Sequence, residues 1–99
     1  MARLIIWSER AIEDLEDIAT YIANDSERYA KSVVRTILKK VHILSDHPHL
    51  GRVVPEFDND SIRELFAYSY RIIYEVTDDE INIAAIVHGR RLLELALNP

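Results

Sequence analysis

Cysteine is absent from the chain. Disulfides and thiolate metal sites are therefore excluded, and the composition suits a reducing compartment, so the cytoplasm is the expected location. No apolar run approaches the roughly 18 to 20 residues that span a bilayer, and the apolar opening from Met1 to Trp7 is too short for a secretory signal. A membrane role is not expected. A basic excess is also lacking: the net charge is -5, which argues against a protein that coats nucleic acid nonspecifically. His42, His47 and His49 lack the spacing and the nearby Cys or paired carboxylates of a metal site, so neither metal nor cofactor is expected. Prolines are few, and Pro48 and Pro55 fall with Gly51 inside residues 46 to 61, which read as one irregular loop.

What remains is enough for one domain over residues 1 to 99, with 48% hydrophobic residues and no internal repeat or second boundary. Residues 2 to 7 read as a short strand. Ser8 breaks that pattern and offers a hydroxyl to cap a helix, on which Ile12, Leu15, Ile18, Ala19 and Ile22 form an apolar stripe. The Asn24-Asp25-Ser26 cluster stops this helix and caps a second, whose stripe is Ala30, Val33, Val34, Ile37, Leu38, Val41 and Leu44 and whose end is set by His47-Pro48. So short a connector makes the two helices an antiparallel hairpin. Ser61 to Tyr68, Tyr70 to Thr77 and Glu80 to His88 read as three strands, with Asp78-Asp79 as a tight turn. The expected fold class is α+β: an N-terminal strand, a helical hairpin, then three antiparallel strands, making a four-stranded sheet with the hairpin on one face and the other face open.

Charge is divided along this order. Acidic residues crowd the first helix, basic residues lie in the second, and Arg63, Arg71, Arg90 and Arg91 lie in the sheet half. The last two strands run into His88-Gly89-Arg90-Arg91, and a cationic cluster on a rigid platform suits an anion or a partner protein. From spacing alone, Arg71 equally reads as a surface arginine paired with a carboxylate, and His88 as a structural residue at a strand end. Tyr70 and Tyr74 alternate in phase with Ile72 and Val76, which suits packing against a core or a partner.

Several of these residues carry a resemblance. Trp7-Ser8, Ala11, Asp14-Leu15, Ile18 and Tyr21-Ile22, the loop residues His47-Pro48, Gly51-Arg52 and Pro55-Glu56, then Arg63-Glu64-Leu65, Tyr70-Arg71-Ile72-Ile73-Tyr74 and His88-Gly89-Arg90-Arg91 resemble, in order, the RelE/ParE toxin superfamily of type II toxin–antitoxin modules. The resemblance implies a toxin, of the plasmid-stabilisation kind, neutralised by an antitoxin whose disordered tail folds onto it in a hetero-oligomer. RelE-like members cut messenger RNA on the ribosome, whereas ParE-like members inhibit DNA gyrase. Cleavage proceeds through the RNA 2′-hydroxyl and needs a base, cations for the phosphorane and an acid for the leaving oxygen. By resemblance, Arg71 and Arg90 fall at phosphate-binding positions and His88 could serve as acid or base.

The rest of the nuclease set is missing. The strand before Arg71 carries Arg63 and an oppositely charged Glu64 where RelE-like enzymes have paired lysines, and no tyrosine follows Arg91. ParE-like inhibition of gyrase is accordingly the expected action, with Arg63, Tyr70, Tyr74 and Arg91 as target- or antitoxin-binding residues. The alternatives are a rearranged ribosome-dependent nuclease using Arg71, Arg90 and His88, or a non-toxic antitoxin-binding module.

Overall fold

The computed structural model describes residues 2–89. In chain order the elements are β1 (Leu4–Trp7), α1 (Glu9–Ala23), α2 (Glu27–Ile43), β2 (Arg52–Val53), β3 (Ile62–Ala67), β4 (Tyr70–Val76) and β5 (Glu80–His88). They form one sheet ordered β1-β5-β4-β3-β2, parallel between β1 and β5 and antiparallel elsewhere. The α+β class and the succession of an N-terminal strand, two helices and then antiparallel strands are those expected from the sequence.

Both helices start where a serine can cap them. Ser8 Oγ accepts from the Ala11 N–H at 3.0 Å, and Ser26 Oγ accepts from the Tyr29 N–H at 3.1 Å. Glu9 and Glu27 occupy the first turns, where a negative charge complements the exposed N–H groups. α2 ends at Ile43, earlier than His47-Pro48 suggested, because Leu44 and Ser45 fold back to bond the carbonyls of Val41 and His42. A second departure lies in the loop. Residues 46 to 61 are not wholly irregular: Arg52–Val53 pairs with β3 as a fifth strand, too short to show as a pattern of alternation.

The core sits between the hairpin and one face of the sheet. Val33, Ile37 and Val41 at the sheet-facing side of α2, Leu44 just past its end and Ala11 of α1 pack on Ile72, Tyr74, Ile81, Ile83 and Ile86. Each large aliphatic side chain fully buried there contributes about 1.5–3 kcal/mol before entropy is counted. Ile12 and Leu38, expected in the apolar stripes, are each 46% exposed, because the seam against the sheet runs along the other edge of each stripe. The opposite face of the sheet, expected to be open, is covered as well, since Val54 and Phe57 of the loop pack on Ile73, Ala85 and Val87.

β1 and α1 together seal one edge. Ile73 pairs with Ala85 and Tyr74 with Ile83, so Ala84 is the extra residue of a β-bulge. β1 ends level with Ile83, and α1 takes over from it. Ser8 Oγ donates to the Ala84 carbonyl at 2.9 Å, and Asp14 Oδ2 accepts from the Ile86 N–H at 2.9 Å, while Arg10 Nε holds the other Asp14 oxygen at 3.0 Å. Backbone groups of β5 that lack a strand partner thereby find side chains.

Candidate functional site

Alternation along β4 decides what the sequence-predicted residues can do together. Tyr70, Ile72, Tyr74 and Val76 face the helices, and Arg71 and Ile73 face the covering loop. Arg71 is paired across the sheet with Phe66 and Val87, Tyr70 with Ala67 and His88. Arg71 and His88 therefore lie on opposite faces. Arg90 and Arg91 lie outside the described residues.

Arg71 is only 5% exposed, which departs from the surface arginine that spacing alone allowed. Its Nη1 and Nη2 donate to Glu56 Oε2 and Oε1 at 2.8 and 2.9 Å, a bidentate grip, and its Nε donates to Glu64 Oε1 at 2.5 Å. Glu64 is 1% exposed and takes a further bond at 2.5 Å from Arg52 Nε, whose guanidinium also lies 5.3 Å from the Phe66 ring centroid. The Glu56 bond foremost, and Glu64 after it, holds the Arg71 pKa above its ordinary value, against the opposing effect of burial. Two arginines and two glutamates thus neutralise one another, Arg71 and Glu64 buried and Arg52 exposed at the rim. Glu64 stands at the position that looked electrostatically wrong in the sequence, and it is a counter-ion of Arg71. Sequence reading missed Glu56 in this role because fifteen residues of loop and strand separate the pair.

Tyr74 is fully buried and its hydroxyl ties the loop to the sheet. It accepts from the Gly51 N–H at 2.9 Å and donates to the Pro48 carbonyl at 2.9 Å. Burial pushes its pKa up, with the Gly51 amide and Arg63 pulling the other way. Gly51 is required by close approach: a Cβ there would meet the Glu64 carbonyl and lie 2.6 Å from the Tyr74 hydroxyl. Arg63 turns inward to the same knot, its Nη1 donating to the Gly51 carbonyl at 2.9 Å. Tyr74 and Arg63, both candidates for partner contact, are thus occupied within the chain.

Tyr70 and His88 sit differently. Their rings meet edge to face, 6.0 Å apart, at the mouth of an open cleft of about 650 Å³ between the hairpin and the ends of β4 and β5. His88 is exposed. Burial raises the Tyr70 pKa, with lesser effects from Tyr21 and Tyr29. Tyr21, Tyr29 and Tyr68 complete an aromatic rim around Asp17 and Asp25. Tyr68 begins the two-residue β3–β4 turn at φ 55, a left-handed conformation more often given to Gly or Asn. Its ring packs edge to face on Tyr29 at 6.0 Å, and the hydroxyls of Thr36 and Ser32 lower its pKa. Among the described residues no arginine or lysine lines this cleft. It suits a protein segment better than a phosphate. Among the described residues no group of three or more His, Asp or Glu is placed to hold a metal, and no helix is long and apolar enough to cross a membrane.

Comparison with known proteins places this geometry in a family. The family model described as the ParE toxin of the type II toxin–antitoxin system parDE matches residues 5–93. Toxin RelE2 of Caulobacter vibrioides is 30% identical over 89 residues, covering 89% of this chain and 97% of that protein. Among solved structures, a chain of the chromosomal ParDE system of P. aeruginosa superposes with a TM-score of 0.72 at 22% identity, over 88% of this chain and 96% of that one. The isolated E. coli RelE toxin gives 0.66 at 15% identity, over 96% and 93%. At such identities the structural likeness speaks to fold alone, and both branches share it. The match over residues 5–93 is the finding that assigns membership, and the chain belongs to the ParE toxin family of type II toxin–antitoxin systems, within the RelE/ParE superfamily.

Proposed function

We propose that this toxin acts without cleaving RNA, as a ParE-like inhibitor of DNA gyrase, and that a cognate antitoxin with a disordered tail neutralises it in a hetero-oligomeric complex. One observation carries the reading: the Arg71 guanidinium is buried and each of its three nitrogens is bonded to Glu56 or Glu64. A phosphorane intermediate needs an exposed cation preorganised toward it, and an arginine already holding two carboxylates would have to surrender them first. His88, the candidate acid or base, lies on the other face from Arg71, so the two do not converge on one reacting phosphate. The ParE family match supports the gyrase reading, and the solved ParDE, RelBE2 and DinJ-YafQ complexes support an antitoxin as partner. The tyrosine-rimmed cleft beside Tyr70 and His88 offers that antitoxin's tail a concave, partly apolar surface on which to order.

Two assays on the purified toxin test the proposal. Supercoiling by gyrase should be inhibited and cleaved DNA trapped, while messenger RNA on translating ribosomes stays intact. Codon-positioned cuts in messenger RNA, lost on substitution of Arg71 or Arg90 by Ala in a folded variant, would instead establish the nuclease reading. A chain that binds its antitoxin but affects neither target would identify a non-toxic binding module.

A further inference from the structure

The outer face of the helical hairpin has no partner among the described residues, and beyond the first turn of α2 its charge is sorted by helix. Between α1 and α2, on the side away from the sheet, lies an open groove floored by Ala19, Ala23, Ala30, Val34 and Leu38, with Leu38 46% exposed. Ile12, also 46% exposed, continues this floor along α1 at helical spacing from Ala19. The ridge of α1 beside the groove presents Glu9, Glu13 and Glu16. The ridge of α2 presents Arg28, Lys31, Arg35 and Lys39, and Glu27 of its first turn is the one acid on that side of the groove among the described residues. All of these side chains are exposed, and none forms an ion pair with another described residue.

An apolar floor between an acidic and a basic ridge is self-complementary. We infer that the hairpin's outer face binds a second copy of this chain, with α1 of one copy laid antiparallel over α2 of the other, about a twofold axis parallel to the helices. The charges select this arrangement. A twofold axis in the interface but across the helices would set α1 on α1 and α2 on α2, acid on acid and base on base. An axis along the groove instead sets each acidic ridge on a basic one and closes the two floors on each other. Counting equal numbers of turns from the Asn24–Ser26 connector puts Glu16 level with Arg35 of the second copy, and Glu13 level with Lys39. The size of the face sets the strength. A helix of 15 residues is about 22 Å long, and two side by side are about 20 Å wide, so each copy offers roughly 450 Å². Twice that is about 900 Å², below the roughly 1,200–2,000 Å² of standard stable interfaces. The pairing is therefore a weak dimer that forms at high local concentration and loosens with salt.

Sedimentation velocity on the full chain, over concentrations from about 1 to 300 µM at low salt, should show a monomer–dimer equilibrium with a dissociation constant on the order of 10–100 µM. Glu16→Arg alone and Arg35→Glu alone should each weaken dimerisation about tenfold or more, since each sets like charges together twice across the axis. Mixing the two variants should restore it, because the arginine introduced in one chain then meets the glutamate introduced in the other, while the native Arg35 and Glu16 pair as before. Both positions are exposed, and unchanged circular dichroism and Trp7 fluorescence would show the variants folded. A wild-type chain that stays monomeric throughout, a dimer indifferent to both reversals, or two folded variants that fail to pair when mixed would each overturn the inference.

Discussion

Two buried residues set the limits of the sheet's polar chemistry, and each yields a prediction. Replacing Arg71 by Ala leaves Glu64, 1% exposed, without its buried counter-ion, so stability should fall by about 3–5 kcal/mol, measured by urea denaturation. Loss of toxicity in that variant would then report unfolding, which is why a test of catalysis by Arg71 needs a parallel stability measurement. Tyr74→Phe keeps the ring in the core but strands the Gly51 N–H, and it should cost about 1–3 kcal/mol. The same hydroxyl gives a pH dependence. Its folded pKa lies above its ordinary value of 10.0, so the folded state retains its proton where the unfolded chain loses it. This contribution is complete below about pH 10 and disappears as pH rises through the folded value. Stability of the parent chain should decline through that alkaline range more steeply than that of Tyr74→Phe.

At the scale of elements, Ser8 joins helix to sheet. Its hydroxyl caps α1 and donates to the bulged Ala84 carbonyl, so Ser8→Ala removes two bonds with one oxygen. A loss of about 1–2 kcal/mol is expected in thermal or urea unfolding, at the upper end for a cap. Such capping serines were legible in the sequence, as were both helices, the three long strands and the Asp78-Asp79 turn, which Thr77 and Glu80 close at 2.9 Å. These signals are local: a cap, a period or a turn needs only neighbouring residues. Other features needed partners distant in the chain. β2 is two residues long and exists only because β3 lies beside it. Glu56 grips Arg71 across a loop, and the bulge at Ala84 depends on where β1 stops. Of the candidate site, Tyr70 and His88 do share one end of the sheet, while the separation of Arg71 from His88 onto opposite faces follows from register, which no single strand discloses. Ile12 and Leu38 belong to apolar stripes yet not to the core, because periodicity identifies an apolar arc without saying which edge of it meets the sheet.

At the scale of the molecule, β1 joins the two ends of the described chain, pairing Leu4 with Glu80 and Trp7 with Ile83. Arg3 and Ser45 bond reciprocally through the Arg3 N–H at 2.9 Å and the Arg3 carbonyl at 2.6 Å, fixing this strand to the end of α2 as well. A chain lacking residues 2 to 7 should therefore lose cooperative unfolding altogether, measured by far-ultraviolet circular dichroism in urea, because β5 loses its parallel neighbour and α1 its entry. The gyrase inhibition proposed above should vanish with it.

The mutual neutralisation of Arg52, Arg71, Glu56 and Glu64 has a consequence for how the toxin meets other molecules. Diffusing polyanions are guided by uncompensated positive potential, and a cation whose counter-ions lie within 3 Å projects almost none beyond the surface. Among the described residues, this group of four therefore adds no long-range pull on a nucleic acid, and it leaves the chain's net charge of -5 to repel one.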